Sequence, residues 1–342
     1  MTRPTRFVAR APVRVDLAGG GTDAPPFCVE HGGLVLNVGI ARYVYARVET
    51  HPGSPAISLV SEDFDTQVAA PSLERLELDG RLDLLAGVAR RMAPSWGFRL
   101  SVCSDVMPGT GLGSSGAVCV ACVRAFDAAT GVSRSVADTA ELANAVERND
   151  LGMAGGSQDS YGAAFGGVNA IRYHRGGGTE NTSLDLAPAT LHELQRRCLL
   201  VYTGEVHLSG SIHTDIRRSY ALPNSPTVDA MKNLAKIAEQ GAQALTEGDV
   251  ERFGELLSAN WHHHKRLHQS CTSARLEEFY AAAAPHVVGG KTCGAGGGGW
   301  VLFLARDGHR HALERACREL GGTTIPLVLD TEGALSWVPR AG

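Results

Sequence analysis

The 342-residue chain is 44% hydrophobic and 20% charged, the balance of an ordinary globular protein long enough for two domains of about 100–200 residues each. A formal charge of −4 and the absence of any Lys/Arg block argue against a nucleic-acid surface or a membrane-surface helix, and no run approaches the roughly 18 apolar residues of a membrane span. The opening MTRPTRFVARAP lacks an apolar leader core, so a cytoplasmic protein is expected, its partner a small molecule rather than nucleic acid or membrane.

Strands and helices alternate along the chain. VRVDLAGG puts Val13, Val15 and Leu17 on one face and Arg14 and Asp16 on the other, the period-two pattern of a half-buried strand. YVYARVET, AISLVSED and FRLSVCSDV read the same way. GAVCVACVRAFDAAT and SVADTAELANAVERND predict helices, the second with a clear 3.6-residue period, and GGVNAIRYH predicts another strand. The Gly-rich, aperiodic HRGGGTENTSLDLAP is the candidate boundary, dividing the chain into residues 1–188 and 189–342. Beyond it come a strand at CLLVYTG, long helices over about 226–268 and 274–283, the turn GAGGGG, a strand at WVLFLA, a helix near 309–320 and a final strand. The fold class is α+β.

Eight cysteines scattered through apolar surroundings suit reduced, buried thiols better than a disulfide framework. Cys119 and Cys122 form a C-x-x-C on the apolar face of a predicted helix, which favours core packing over redox or metal duty. His262, His263 and His264 are consecutive on a helix and point in different directions, so they do not converge on one metal.

The segment Gly111-Leu112-Gly113-Ser114-Ser115-Gly116 matches G-x-G-x-x-G, the fingerprint of a dinucleotide fold. Its setting does not match: MPGT separates it from its strand, and no acidic residue closes a second strand about 20 residues later. It also lacks the Gly-Lys-Ser/Thr ending of a P-loop. What remains is a glycine turn emptying into a helix N-terminus, which is either an anion site or a tight turn capped by serines. Two more glycine clusters, LAGGGTDAPP after the first strand and KTCGAGGGGWVLF near residue 295, bring backbone close to something at three places.

APVRVDLAGGGTD, MPGTGLGSSGA and KTCGAGGGGW, in that order, resemble the three motifs of the GHMP small-molecule kinases. Within that family RAPVRVDLAGGGTDAPPF, GGSQDSYGAAFGG and NWHHHKRL resemble the D-glycero-D-manno-heptose 7-phosphate kinase branch, with L-fucokinase-type domains close behind. The resemblance implies a two-domain fold, an N-terminal domain like ribosomal S5 domain 2 and a ferredoxin-like C-terminal domain. It implies ATP and Mg²⁺ as cofactors, a sugar or sugar phosphate as partner, and a monomer or homodimer.

It also assigns residues. Gly111, Leu112, Gly113, Ser114, Ser115 and Gly116 are expected at the ATP phosphates, and Ser115 with Glu147 at the metal. Asp159 is expected beside the acceptor hydroxyl, with Arg14 holding it ionised. Gly20, Gly21, Thr22, Asp23, Gly156, Gly296 and Gly297 are expected at the acceptor. Without the resemblance Glu147 reads as a solvated helix carboxylate, Asp159 as a helix cap and Arg14 as half of a surface ion pair. The implied reaction is phosphorylation of the anomeric hydroxyl of a heptose 7-phosphate. The alternatives are another sugar, L-fucose among them, or a catalytically silent regulator. Ser157 and His207 stand where the heptose branch carries cations; Arg14, Arg42, Arg172, Arg217, Arg218 and Lys291 are the other cations considered for a substrate phosphate.

Overall fold

Two long antiparallel strands organise the first half of the chain. β1 (Arg6–Ala18) and β2 (Gly33–His51), joined across the short helix α1 (Phe27–His31), pair from Arg6↔Glu49 to Ala18↔Leu36. The computed structural model describes residues 5–205, 209–223 and 225–340. The hairpin β3 (Ile57–Ser61) and β4 (Thr66–Ala70) is followed by α2 (Asp83–Met92) and β5 (Gly97–Ser104), which runs antiparallel to β2 and parallel to β3. α3 (Ser114–Thr130) and α4 (Val136–Ala145) lead through a π-helical turn at Val146–Asp150 to α5 (Gln158–Phe165), then to β6 (Val168–Tyr173) and β7 (Thr179–Ser183). β2 is long enough to pair with β6 along its first part and with β5 along its second. Its Leu34–Val38 stretch is buried on both faces, which is why it shows no alternation in sequence. α3 packs on β1 and β2 and against α2, α4 and α5, so its run from Cys119 to Val123 is apolar all round.

The second half holds α6 (Pro188–Arg197), β8 (Cys198–Tyr202), α7 (Ser209–Tyr220), α8 (Pro226–Glu247), α9 (Val250–His264), α10 (Ala274–Ala283), β9 (Val287–Thr292), β10 (Trp300–Ala305), α11 (Arg310–Glu319) and β11 (Thr323–Pro326). Its four strands form an antiparallel sheet in the order β11-β8-β10-β9. Counted within the sheet this is 4-1-3-2, with helices between the first and second strands and between the third and fourth, the ferredoxin-like arrangement. β12 (Leu335–Trp337) leaves that domain and pairs with β1, giving the first sheet the order β12-β1-β2-β5-β3-β4 with β6 and β7 branching from β2.

Two expectations change. The helix expected over 226–268 is two helices, because Gly248 turns left-handed at φ 77° and Asp249 caps the next helix by accepting from the Arg252 N–H. A cut at 188/189 leaves Leu329 and β12 on the wrong side, since both return to the first sheet through Ile40 and β1. The eight cysteines are free, and seven of them are buried.

Candidate active site

The three glycine-rich segments meet at one cleft with a volume of about 650 Å³. Gly20 and Gly21 line it from the end of β1, Gly109, Gly111 and Gly113 from the turn before α3, and Gly294 and Ala295 from the turn after β9. The second and third turns touch backbone to backbone: a Cβ on Gly294 would lie 2.8 Å from the Gly111 Cα, so only glycine allows that approach. α3 starts without a side-chain cap, its N-cap position taken by Gly113 in a left-handed conformation. The first turn of α3, with Ser114 and Ser115, therefore sits on the cleft wall without a side-chain cap, a position that suits an anion.

Beside them lies a largely buried ion pair. Arg14, from β1, donates through Nε and one terminal nitrogen to Asp159 Oδ1 at 2.8 and 2.5 Å. Its other terminal nitrogen donates to the carbonyls of Gly111 and Cys293 at 2.8 and 2.9 Å, so one guanidinium ties β1, α5 and two of the glycine turns together. Burial opposes the charge on Arg14, but Asp159 and then Asp16 outweigh it and hold the guanidinium protonated. Asp159 lies in the first turn of α5 and keeps 18% of its side chain exposed to the cleft.

Glu147 occupies the π-helical turn, is 1% exposed and lines the same cleft. Burial raises its carboxyl from 4.5 to about 7, against Arg148 and a hydrogen bond from Ser115, with Asp159 adding to the rise. Its Oε1 has no hydrogen-bond partner. A buried carboxylate oxygen left open beside a serine hydroxyl is the donor set a hard divalent cation takes, so Glu147 and Ser115 fit Mg²⁺.

Other expected residues stand differently. Leu112 is core, and its carbonyl accepts from the Arg14 N–H. Gly116 faces α5: a Cβ there would lie 2.7 Å from the Asp159 Cβ. Thr22 is fully buried, with its hydroxyl between the Gly19 and Leu34 carbonyls at 2.8 and 3.0 Å, so it is turned away from the cleft. Asp23 and Gly156 do line the cleft, and Asp23 accepts from the N–H groups of Gly21 and Gln158, pinning the first glycine turn to α5. Burial raises the Asp23 carboxyl, against the Gln158 bond. Gly296 and Gly297 pack on Cys271 behind the wall, leaving Gly294 and Ala295 in front.

The considered cations divide similarly. Lys291 is fully buried, spending its ammonium on Asp16 Oδ2 at 3.1 Å and on the Asp16 and Thr292 carbonyls at 2.7 and 2.8 Å. Arg42, Arg172 and Arg218 lie off the cleft walls, whereas Arg217 lines a smaller cavity next to the cleft. Ser157 donates to the Tyr173 hydroxyl at 3.0 Å, and His207 lies outside the described residues.

Sequence reading missed Arg148 and His213, which line both cavities. Arg148 adjoins Glu147 in VERND, a signal available but unused; His213 has none, since only the fold brings α7 to the cleft. Burial, then Arg148, lowers His213 to about 4. His264, from the three-histidine run, is buried with Nε2 2.9 Å from the Ala295 carbonyl. Among the described residues no helix is long and apolar enough to cross a membrane.

The chain is similar to known proteins. Residues 83–167 match the family described as GHMP kinases N terminal domain and residues 242–322 the one described as GHMP kinases C terminal. The D-glycero-alpha-D-manno-heptose 7-phosphate kinase of Campylobacter jejuni is 29% identical over 96% of this chain and 98% of its own. The bifunctional fucokinase/GDP-fucose pyrophosphorylase of Arabidopsis thaliana is 26% identical over 90% of this chain but only 30% of that protein. A solved D-glycero-D-manno-heptose 1-phosphate kinase from Bacteroides thetaiotaomicron superposes with a TM-score of 0.82 at 28% identity, covering 98% of this chain and 100% of the other. With both domain families matched in order and the whole chain superposing on a solved relative, the protein belongs to the GHMP kinases, a family of ATP-dependent phosphotransferases.

Proposed function

We propose that the protein is a sugar kinase that phosphorylates the anomeric hydroxyl of a heptose 7-phosphate to give the 1,7-bisphosphate. The observation that carries the reading is the Arg14–Asp159 pair packed beside the uncapped N-terminus of α3 on the wall of one cleft. The full-length relative named as a heptose 7-phosphate kinase supports the acceptor.

Asp159 accepts the proton of the acceptor hydroxyl as its oxygen bonds to the γ-phosphorus, while the bond from that phosphorus to the β–γ bridging oxygen breaks and ADP leaves. Arg14 steers the Asp159 carboxylate through its two bonds to Oδ1. The N–H groups at the start of α3, with Ser114, hold phosphate oxygens in place. The arm of the cleft walled by Phe64, Leu85, Val102 and Val118 is apolar and suits the nucleobase. Glu147 and Ser115 would hold Mg²⁺, which would supply charge neutralisation for the phosphates. Asp23 and the Gly20–Gly21 backbone present acceptors and donors to the sugar hydroxyls.

The test is kcat/KM with Mg-ATP for D-glycero-D-manno-heptose 7-phosphate against the free heptose, L-fucose and galactose, with the new phosphate located by ³¹P–¹H coupling. The expected result is a preference for the heptose 7-phosphate and coupling to the anomeric proton. A preferred unphosphorylated sugar overturns the acceptor; phosphate on another oxygen overturns the bond.

A further inference from the structure

A second cavity of about 360 Å³ opens beside the main cleft. Gly21, Arg148 and His213 belong to the walls of both, while the phosphate turn and Glu147 border only the first. The side chamber thus extends from the acceptor end of the cleft, away from the start of α3.

Charge distinguishes the two. The main cleft carries both signs, the carboxylates Asp16, Asp23, Asp63, Asp83, Glu147 and Asp159 with Arg14, Arg81 and Arg148. Its neighbour is lined by two arginines, Arg148 and Arg217, with Asn149, His213 and Tyr220, and by no carboxylate among the described residues. Tyr220 spends its hydroxyl on Glu30.

Neither arginine has a carboxylate partner among the described residues. Arg148 is oriented by backbone instead: Nε and one terminal nitrogen donate to the Gly156 carbonyl at 3.0 and 2.5 Å, and the other terminal nitrogen to Met153 at 3.0 Å. Three of its five N–H groups are used, and two are left. Glu147 lies near enough to feel Arg148 but forms no ion pair with it, so the half-buried guanidinium is only partly compensated, which costs free energy. It is what anion recognition requires, and the planar fork of arginine matches phosphate oxygens two at a time.

We propose that the side chamber is the subsite for a phosphomonoester at the far end of the acceptor, with Arg148 and Arg217 as the residues that select it. The inference rests on the sugar-kinase reading of the main cleft. An acceptor whose reacting hydroxyl faces Asp159 passes Gly21 and ends between the two arginines. Arg148 fixes the direction of approach from its backbone cradle; Arg217 closes the anion from α7.

Calorimetric titration without nucleotide tests this directly, using D-glycero-D-manno-heptose 7-phosphate, the free heptose and inorganic phosphate. The wild type is expected to bind the phosphorylated heptose about 10–100-fold more tightly than the free sugar, the worth of a charge-assisted pair. Arg217→Gln and Arg148→Gln each bring the two affinities together, and inorganic phosphate competes with the phosphorylated sugar. Arg217 is exposed on α7, so its replacement keeps the fold even where that of Arg148 loosens the 152–156 loop. Equal affinities in the wild type, or a preference that survives both substitutions, overturn the proposal. Phosphate binding that weakens in Arg217→Gln while heptose 7-phosphate binding does not overturns it too, by showing an independent anion site. Failure of the kinase reading registers separately, as absent ADP release with every sugar while the binding preference stands.

Discussion

Arg14 and Asp159 lie 145 residues apart in sequence and meet at 2.5 Å, with both arginine bonds falling on Oδ1 of the carboxylate. Oδ2 receives neither bond, and in the proposed reaction it is the oxygen that would meet the acceptor hydroxyl. Asp159→Asn keeps the shape and removes the base, so kcat is expected to fall about 10²–10⁴-fold with nucleotide affinity little changed. A variant turning over near the wild-type rate makes Asp159 a helix-start residue and nothing more.

Glu147 connects metal binding to pH. Its folded carboxyl titrates near 7, above the 4.5 of the unfolded chain, so the folded state holds the proton more tightly. Stability from that source is complete below about 4.5 and is lost as pH rises through 7, where the buried charge costs roughly 3 kcal/mol. Glu147→Gln cannot ionise and should melt above the wild type at pH 8 without Mg²⁺, the gap shrinking toward pH 5. In the wild type, the Mg²⁺ concentration giving half-maximal rate should fall as pH rises through 7, because the cation needs the ionised carboxylate. Identical melting curves and Mg²⁺ titrations across that range remove Glu147 from the metal site.

The glycine clusters were legible because a turn that must approach another backbone excludes every other residue, and the three clusters do face one cleft. Leu112 and Thr22 show the limit of motif reading. Both sit inside motifs, yet each points into the core, because alternate positions of a tight turn face opposite ways. Lys291 is a harder case: a lysine reads as solvent-facing, and only the fold, which brings its ammonium to Asp16 of β1, shows it sealed there. The side chamber was illegible altogether, since its walls come from segments near residues 21, 150 and 215 with no common pattern.

Lys291 and Asp16 link the second domain to the strand that carries Arg14, both side chains at 1% exposure or less. Removing one member strands the other charge in the core. Lys291→Met is therefore expected to cost about 3–5 kcal/mol in urea unfolding, and adding Asp16→Asn should recover part of that loss by leaving no uncompensated charge. Additive losses in the double variant contradict a coupled pair.

Gly116 gives the sharpest separation between holding nucleotide and holding the base. It lies in the phosphate turn motif, two residues into α3, but a side chain there would point at α5 and not at the cleft: the added Cβ would stand 2.7 Å from the Asp159 Cβ and 2.9 Å from its carbonyl carbon and the Ser160 nitrogen. Two of those three atoms are backbone, so relief requires α5 to move away from α3. That movement stretches the Arg14–Asp159 pair, while the α3 N–H groups at the cleft wall keep their place. Gly116→Ala should thus lower kcat about 10–100-fold, as a base displaced by a fraction of an ångström does, with ATP affinity changed far less. An ATP affinity that falls in step with kcat places Gly116 at the phosphates and removes the helix-spacing role assigned to it here.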